Sequence, residues 1–435
     1  MLRSWLNLLV PPEVGPWSLR REFIAGVVNF LTAGYIIVVN PSILSEAGMS
    51  KTALVSVTCY SSAIGCFLMA LWPRVPIIMA PGMGINAFFT YTLCLKEGVP
   101  WQTALGIVFI SGVLFIIITA GGLRERILYA IPSNLRLSIP VGIGLFISLI
   151  GFRNMGLVVE HPITLVTLGP LTPTLILALL GLIAVIVMEQ LRIPGSILAI
   201  ILLITFIALG LGWVKTPKDW VGLPPPIYPV AFKLDILSAL KPLYWVPIFA
   251  FLYIALFDSL GTLTAISYQA GLNVGDKIPK LGKMLMADAI GATTGAILGT
   301  STVTAYIESG AGVAAGGRTG WTAFFTGIFF LLASFFSGTI SVIPPYATAV
   351  ALVVVGIYMI KHIKEIDFTN WEEGAPAFFT ILLMPFTYSI ATGLCFGVLS
   401  YVAILLVTGK WQKITPILAF IGILSLVYLI ISPTG

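Results

Sequence analysis

Asp258, Asp288 and Glu308 stand apart from the other acids of this chain, because each lies inside an apolar run rather than beside a charged turn. An ionisable group at membrane depth costs several kcal/mol unless it is neutralised, paired or put to use, so each needs a reason. Asp258 sits in the run Ile248–Leu263, and Thr262, four residues on, shares its helix face. Gly261 between them is expected to let another backbone approach closely. The run favours Asp258 as a ligand for substrate or proton over an aspartate that merely holds the bundle through Ser259. Glu308 follows a stretch broken by Gly299-Thr-Ser-Thr, on a short helix expected over Tyr306 to Gly312. A half-helix start offers unpaired N–H groups and the positive end of a dipole. A carboxylate there can accept two N–H donors from a planar heterocycle while the backbone meets the ring's acceptors. In apolar surroundings a carboxyl is cheapest when protonated, so Asp258 and Glu308 are also the candidate proton carriers. Asp288, with Thr293 and Thr294 nearby, reads as structural.

A second broken stretch carries Pro81, Gly82 and Gly84 ahead of Asn86, Ala87 and Phe88. Asn86 is the chief polar side chain there and reads either as a ligand or as a bond to a neighbouring helix. Phe88 and Tyr306 are placed to stack on a flat ring, with simple packing as the alternative. No residue set points to catalysis, a metal or a cofactor. Gly312–Thr319 matches a phosphate-binding loop except that Arg318 replaces its lysine, and it lacks the preceding strand that such a loop needs. The only histidines, His161 and His362, fall in loops and form no H-E-x-x-H motif. Cys59, Cys66, Cys94 and Cys395 sit in apolar stretches and read as small core residues.

The elements that must position these groups are set by composition. Only 9% of the 435 residues are charged and 58% are apolar, which excludes a soluble enzyme, a disordered chain and a secreted disulfide scaffold. Nor do basic residues interleave with aromatics as a nucleic-acid surface requires. Leu6–Val10 is too short to be the core of a cleavable signal. What remains is an all-α polytopic membrane protein embedded in a lipid bilayer. Apolar runs of spanning length or somewhat less predict helices near 23–40, 52–71, 83–95, 101–119, 137–151, 172–190 and 195–212. A second set follows near 243–265, 283–298, 304–314, 319–336, 346–360, 376–390 and 391–408, with a last segment at 414–431. The chain thus divides into an N-terminus (1–22), a first seven (23–212), a Pro-rich linker (213–242), a second seven (243–408) and a C-terminal apolar segment (409–435). With the N-terminus cytoplasmic, only Lys51, Lys96, Arg153, Lys215, Lys218, Lys233 and Lys241 fall outside, and the remaining basic residues fall inside. Seven is odd, so the second set enters from the opposite side. The two broken stretches are each third in their set, and such a pair points to a transporter's central site.

Four runs resemble the signatures of a known family: Asn29–Met49, Ala80–Phe89, Leu256–Leu263 and Gly299–Gly320. The chain is similar, from about residue 20 to 408, to the azaguanine-like guanine/hypoxanthine permeases. These are a branch of the nucleobase–cation symporters related to the uracil and xanthine permeases. The resemblance implies fourteen spanning segments in two inverted repeats of seven, with short strands before the half-helices of segments 3 and 10. Segments 1–4 and 8–11 would form a core domain, and segments 5–7 and 12–14 a gate domain. It further implies proton-coupled import of a purine nucleobase (hypoxanthine, guanine or adenine) across the plasma membrane, with a homodimer as the candidate assembly. By position Asp258 and Glu308 resemble the family's two acidic substrate-binding residues. Thr262 stands where the uracil permease has a histidine, and Ser259 where threonine is commoner. A channel or an anion exchanger on the same architecture is the competing reading. Acids at membrane depth without a Lys or Arg there argue against an anion.

Overall fold

Lipid offers a buried backbone no hydrogen-bond partner, so a chain this apolar must close its own bonds, and it does so with helices. The computed structural model describes residues 9–11, 17–122, 131–217, 219–273 and 278–431. Arg3, Arg124, Arg126, Lys218 and Lys277, used above for orientation, lie outside the described residues. Among those described, nine helical stretches are long and apolar enough to cross a membrane, and Ser196–Gly210 and Pro416–Ile430 are shorter apolar helices.

The first half runs α1 (Leu19–Ala33), α2 (Ile36–Ser45), α3 (Lys51–Leu71), β1 (Met79–Pro81), α4 (Met83–Ala87), α5 (Trp101–Ala120) and α6 (Ser133–Asn154). It ends with a hairpin, β2 (Val158–His161) and β3 (Leu165–Leu168), then α7 (Pro173–Gln190) and α8 (Ser196–Gly210). The helix expected over 23–40 is instead a 27-residue span interrupted at Gly34–Tyr35. The one expected over 83–95 becomes π-helical from Phe88 to Lys96. The linker contains α9 (Ile236–Ala239), and the Asp235 N–H donates to Gln102 O at the head of α5 (2.9 Å).

The second half runs α10 (Trp245–Gln269), α11 (Leu281–Leu298), β4 (Val303–Ala305), α12 (Ser309–Ala314), α13 (Gly320–Ala333), α14 (Ser337–Ser341), α15 (Pro345–Ile360), α16 (Trp371–Phe386), α17 (Ile390–Val407) and α18 (Pro416–Ile431). α3 and α1 pack on α13, α5 on α11 and α1 on α12. Separately, α6 packs on α15 and α16, and α7 on α15 and α8. β1 and β4 join the halves as an antiparallel pair, Met79 opposite Ala305, Ala80 opposite Thr304 and Pro81 opposite Val303.

The last apolar segment doubles back on the one before it. α18 packs along α17, with Val402 Cγ2 3.5 Å from where a side chain on Gly422 would begin. Before it, Lys413 reaches Glu372 at the start of α16 (2.5 Å). Near its end, Tyr428 donates to Glu97, beyond the π-helix (2.5 Å). α18 therefore retraces the full length of α17 in the opposite direction.

One buried acid ties the start of α1 to the turn before α13. Glu22, 1% exposed, accepts from the backbone N–H of Arg318 (3.0 Å) and Thr319 (3.3 Å) and from Thr322 Oγ1 (2.5 Å). Thr319 caps α13 by accepting from the Trp321 N–H (3.2 Å), and the carboxylate takes the N–H groups just ahead of the helix and a hydroxyl of its first turn, which would otherwise be stranded. Glu22→Ala should cost about 2 kcal/mol of stability, because it strands buried donors. Thermal unfolding of the detergent-solubilised protein should show this as a lowered midpoint, with Glu22→Gln falling less.

Candidate functional site

The site is built where two strands meet. Beyond the β1–β4 pair, the Gly82 N–H donates to Thr302 O (2.9 Å) and the Tyr306 N–H to Ile78 O (3.0 Å). These bonds hold residues 302–306 extended, so the short helix starts at Ser309 and not at Tyr306 as expected. Glu308 consequently lies just ahead of α12 rather than within it, and its half-buried side chain makes no capping bond. The N–H groups expected to be free at this start are taken: those of Ser309, Gly310 and Ala311 by Tyr306 O, Ile307 O and Glu308 O, and that of Gly312 by Asn29 Oδ1 (2.8 Å). Tyr35, 1% exposed at the α1–α2 break, donates its hydroxyl to Glu308 Oε1 (2.6 Å). That leaves the second carboxylate oxygen for another partner.

Asp258 lies mid-way along α10 and is exposed, although Leu256 and Ser259 beside it are buried. Gly261, Ala265 and Gln269 continue the exposed stripe at helical spacing towards the end of α10. The expectation that Gly261 receives another backbone is wrong, since a Cβ there would meet nothing within 4 Å. The stripe borders α12, where Gln269 Nε2 donates to Gly310 O (3.1 Å) and Ile307 is 49% exposed. These exposed faces border a crevice between α10 and α12, with Asp258 on the α10 side and Ile307 and Glu308 on the α12 side.

Ser259, the partner considered for Asp258, is spent on Asp288 instead. Asp288 is fully buried and also accepts from the Ala305 N–H (2.7 Å) and Thr304 Oγ1 (3.2 Å). It locks β4 to α10 and α11, a structural role. Thr262 is 8% exposed, one turn beyond Asp258.

The residues on the other broken stretch lie deeper. Asn86 is fully buried, donates Nδ2 to Asn40 Oδ1 (2.6 Å) and accepts from Ser301 on Oδ1. Asn40 in turn donates to Thr58 (2.7 Å) and Thr300 (3.1 Å), so one polar knot joins α2, α3, α4 and the approach to β4. Ala87 and Phe88 are buried, and the Phe88 ring meets Phe251 of α10 at 4.7 Å between centroids. Tyr306 is 6% exposed and donates to Pro81 O (2.5 Å). The structure thus brings Glu308 and Asp258 to one crevice with Thr262 and Tyr306 behind them, while Asn86, Ala87 and Phe88 hold the frame.

Sequence reasoning missed Tyr35, Tyr358 and Glu189. Glu189, at the end of α7, accepts from Ser196 Oγ of α8, and Tyr358 lies on α15, which packs against α7. Tyr35 had one usable signal, a hydroxyl immediately after Gly34 in the signature run. A separate small cavity of about 30 Å³ lies between α6, α10, α17 and α18, lined by Leu135, Ile139, Ala250, Leu394 and Ile421 among others. It is almost wholly apolar and contains none of these acids.

A guanine/hypoxanthine permease of Bacillus subtilis is 38% identical to this chain, covering 95% of it and 97% of the relative. An adenine permease of Escherichia coli is 39% identical, covering 91% and 90%. The murine Solute Carrier 26 family member A9 anion transporter, in its inward-facing state, superposes with a TM-score of 0.67 at 12% identity over 95% of this chain and 72% of that one, a likeness of fold alone. The profile described as Permease family matches residues 20–395. With apolar helices enough for many crossings and relatives matched nearly end to end, the chain is a multi-pass membrane protein that belongs to the Permease family, in its azaguanine-like guanine/hypoxanthine branch.

Proposed function

We propose that the protein is a proton-coupled symporter that imports purine nucleobases across the cytoplasmic membrane by alternating access. The observation that carries this reading is the pair of acids on one crevice, Glu308 just ahead of a half-helix and Asp258 on the exposed stripe of α10. A purine offers ring N–H groups that a carboxylate accepts and ring nitrogens and an exocyclic group that backbone or hydroxyl donors meet. Glu308, oriented by Tyr35, takes the N–H edge. Asp258 gives a further bond or carries the proton, and Thr262 and Tyr306 complete the lining. Asn86, Ala87 and Phe88 keep the facing half-helix in place. Hypoxanthine, guanine and adenine differ mainly in their exocyclic groups, and the relatives' names cover all three.

In the same reading the chain holds fourteen crossings in two inverted sevens, with α18 added. The packing supports it. Segment 2 packs on 11 as segment 9 packs on 4, segment 1 packs on 10, and segments 3 and 10 meet through their strands. Exchange of the halves maps the first pair onto the second, the strand pair onto itself, and the 1–10 contact onto that of segment 8 with segment 3, where Phe251 meets Phe88. Segments 1–4 and 8–11 then form the core that carries the acids, and segments 5–7 and 12–14 the gate, with the N-terminus cytoplasmic. The likeness to an anion transporter does not favour anions, because the crevice is lined by two carboxylates.

Uptake of radiolabelled hypoxanthine into energised vesicles tests this. Glu308→Gln should weaken half-saturation about a hundredfold, because the charged acceptor is lost both to the base and to Tyr35. Asp258→Asn should keep exchange at equilibrium but lose accumulation driven by a proton gradient. If neither variant alters affinity or coupling, the assignment fails. Tyr35→Phe removes one donor to Glu308 and should weaken half-saturation about tenfold with unchanged protein in the membrane.

A further inference from the structure

The crevice opens towards the end of α10, and the opposite end of the bundle is shut by contacts that the transport reading does not use. α10 begins beyond the linker that docks on Gln102, just after Glu97, so Glu97 marks the closed end. There the rings of Tyr91, Phe146 and Tyr388 meet in T-shaped contacts, with centroids 6.4 Å (Tyr91 to each of the others) and 5.3 Å (Phe146 to Tyr388) apart. Tyr388 sits in the α16–α17 turn with φ 53°, a left-handed conformation that a bulky residue adopts only when its surroundings impose it. Around this plug, Tyr91 donates to Glu46 (2.8 Å) and Lys96 Nζ to Thr387 O (2.6 Å). Tyr428 of α18 donates to Glu97 (2.5 Å).

Apart from the Tyr91–Glu46 bond and the Phe146–Tyr388 contact, these contacts cross one boundary. On one side are the end of α2 and the π-helix; on the other are α6, the α16–α17 turn and α18. α18 is fixed to the second group along α17 and at its start through Lys413 and Glu372, and only its far end reaches across. It is also the element that the two sevens do not require.

We propose that this cluster is the closed door of the path at the Glu97 end, and that α18 is a strap whose Tyr428–Glu97 bond must break for that door to open. The inference rests on the alternating-access reading above and adds to it a device for setting how long the door stays shut.

A cysteine placed at Gly261, where a side chain meets open space, reports which side of the membrane the crevice faces. Cys59, Cys66 and Cys395 are buried and Cys94 half-buried, and the chain without the added cysteine supplies the blank. A membrane-impermeant maleimide is applied to right-side-out and inside-out vesicles in turn. With the strap intact, Gly261→Cys should label only from the side opposite Glu97. Tyr428→Phe and Glu97→Gln, each with Gly261→Cys, should raise labelling from the Glu97 side about tenfold, the effect of one charge-assisted bond on a two-state balance. Two variants of different chemistry guard against a folding defect in either, and retained labelling from the opposite side reports a folded chain. If Glu97-side labelling stays at the blank in both, the strap is refuted, even if the unaltered chain transports hypoxanthine. If labelling switches sides but hypoxanthine is never carried, the strap stands and the substrate reading falls.

Discussion

Backbone groups in the middle of a bilayer have nothing to bond but each other. Two segments of this chain stop being helical at that depth, and the fold depends on how their freed N–H and C=O groups are satisfied. β1 and β4 come from distant parts of the sequence and pair with one another, so each stretch repairs the interruption in the other. Neither could persist alone. The pairing is what allows two half-helices to start inside the membrane, with an acid at one of the starts.

So close an approach requires small neighbours. A methyl on Gly65 of α3 would lie 2.7 Å from Met79 Cβ, and one on Gly295 of α11 would lie 2.9 Å from Val303 Cγ2. Both are tighter than side-chain carbons tolerate, so the helices beside the strands are glycine-bearing for a steric reason. Asp288 then ties β4 to α10 and α11 through three donors, and the Asn40–Asn86 knot ties the first half to the second. Polar side chains that read as chemistry in a one-dimensional list turn out largely to be fasteners. The exceptions are the two carboxylates that keep a face on the crevice.

Most helices were legible because twenty apolar residues between turns have few alternatives in lipid, and the two interruptions were legible because proline and glycine mark them. Asp258 and Glu308 stood out because charge at that depth is rare. What sequence could not convey was direction and partnership. Asn86 and Asp258 are both polar residues in apolar runs, yet one points into a saturated knot and the other into open space, and rotation about a helix axis decides between them. Gly261 was read as a contact and is a gap for the same reason. The Tyr35–Glu308 bond joins residues 273 apart, with no local pattern to announce it. The start of α12 was misplaced because helix propensity could not foresee that Ile78 would claim the N–H of Tyr306.

The bond from Tyr306 to Pro81 O has a consequence for energetics. It runs from the second half to the first, across the strand pair, beside Glu308 on one side and α4 on the other. Proline lacks an N–H, so its carbonyl is the group that Pro81 brings to this place, and a hydroxyl from the opposite repeat takes it. The two half-helices are thereby braced into one cradle. A cradle so braced offers a bound base the same contacts whichever side of the membrane it is opened to. On the symport proposed above, import would owe its direction to the gradients of the species carried together, and not to a tight side and a loose side.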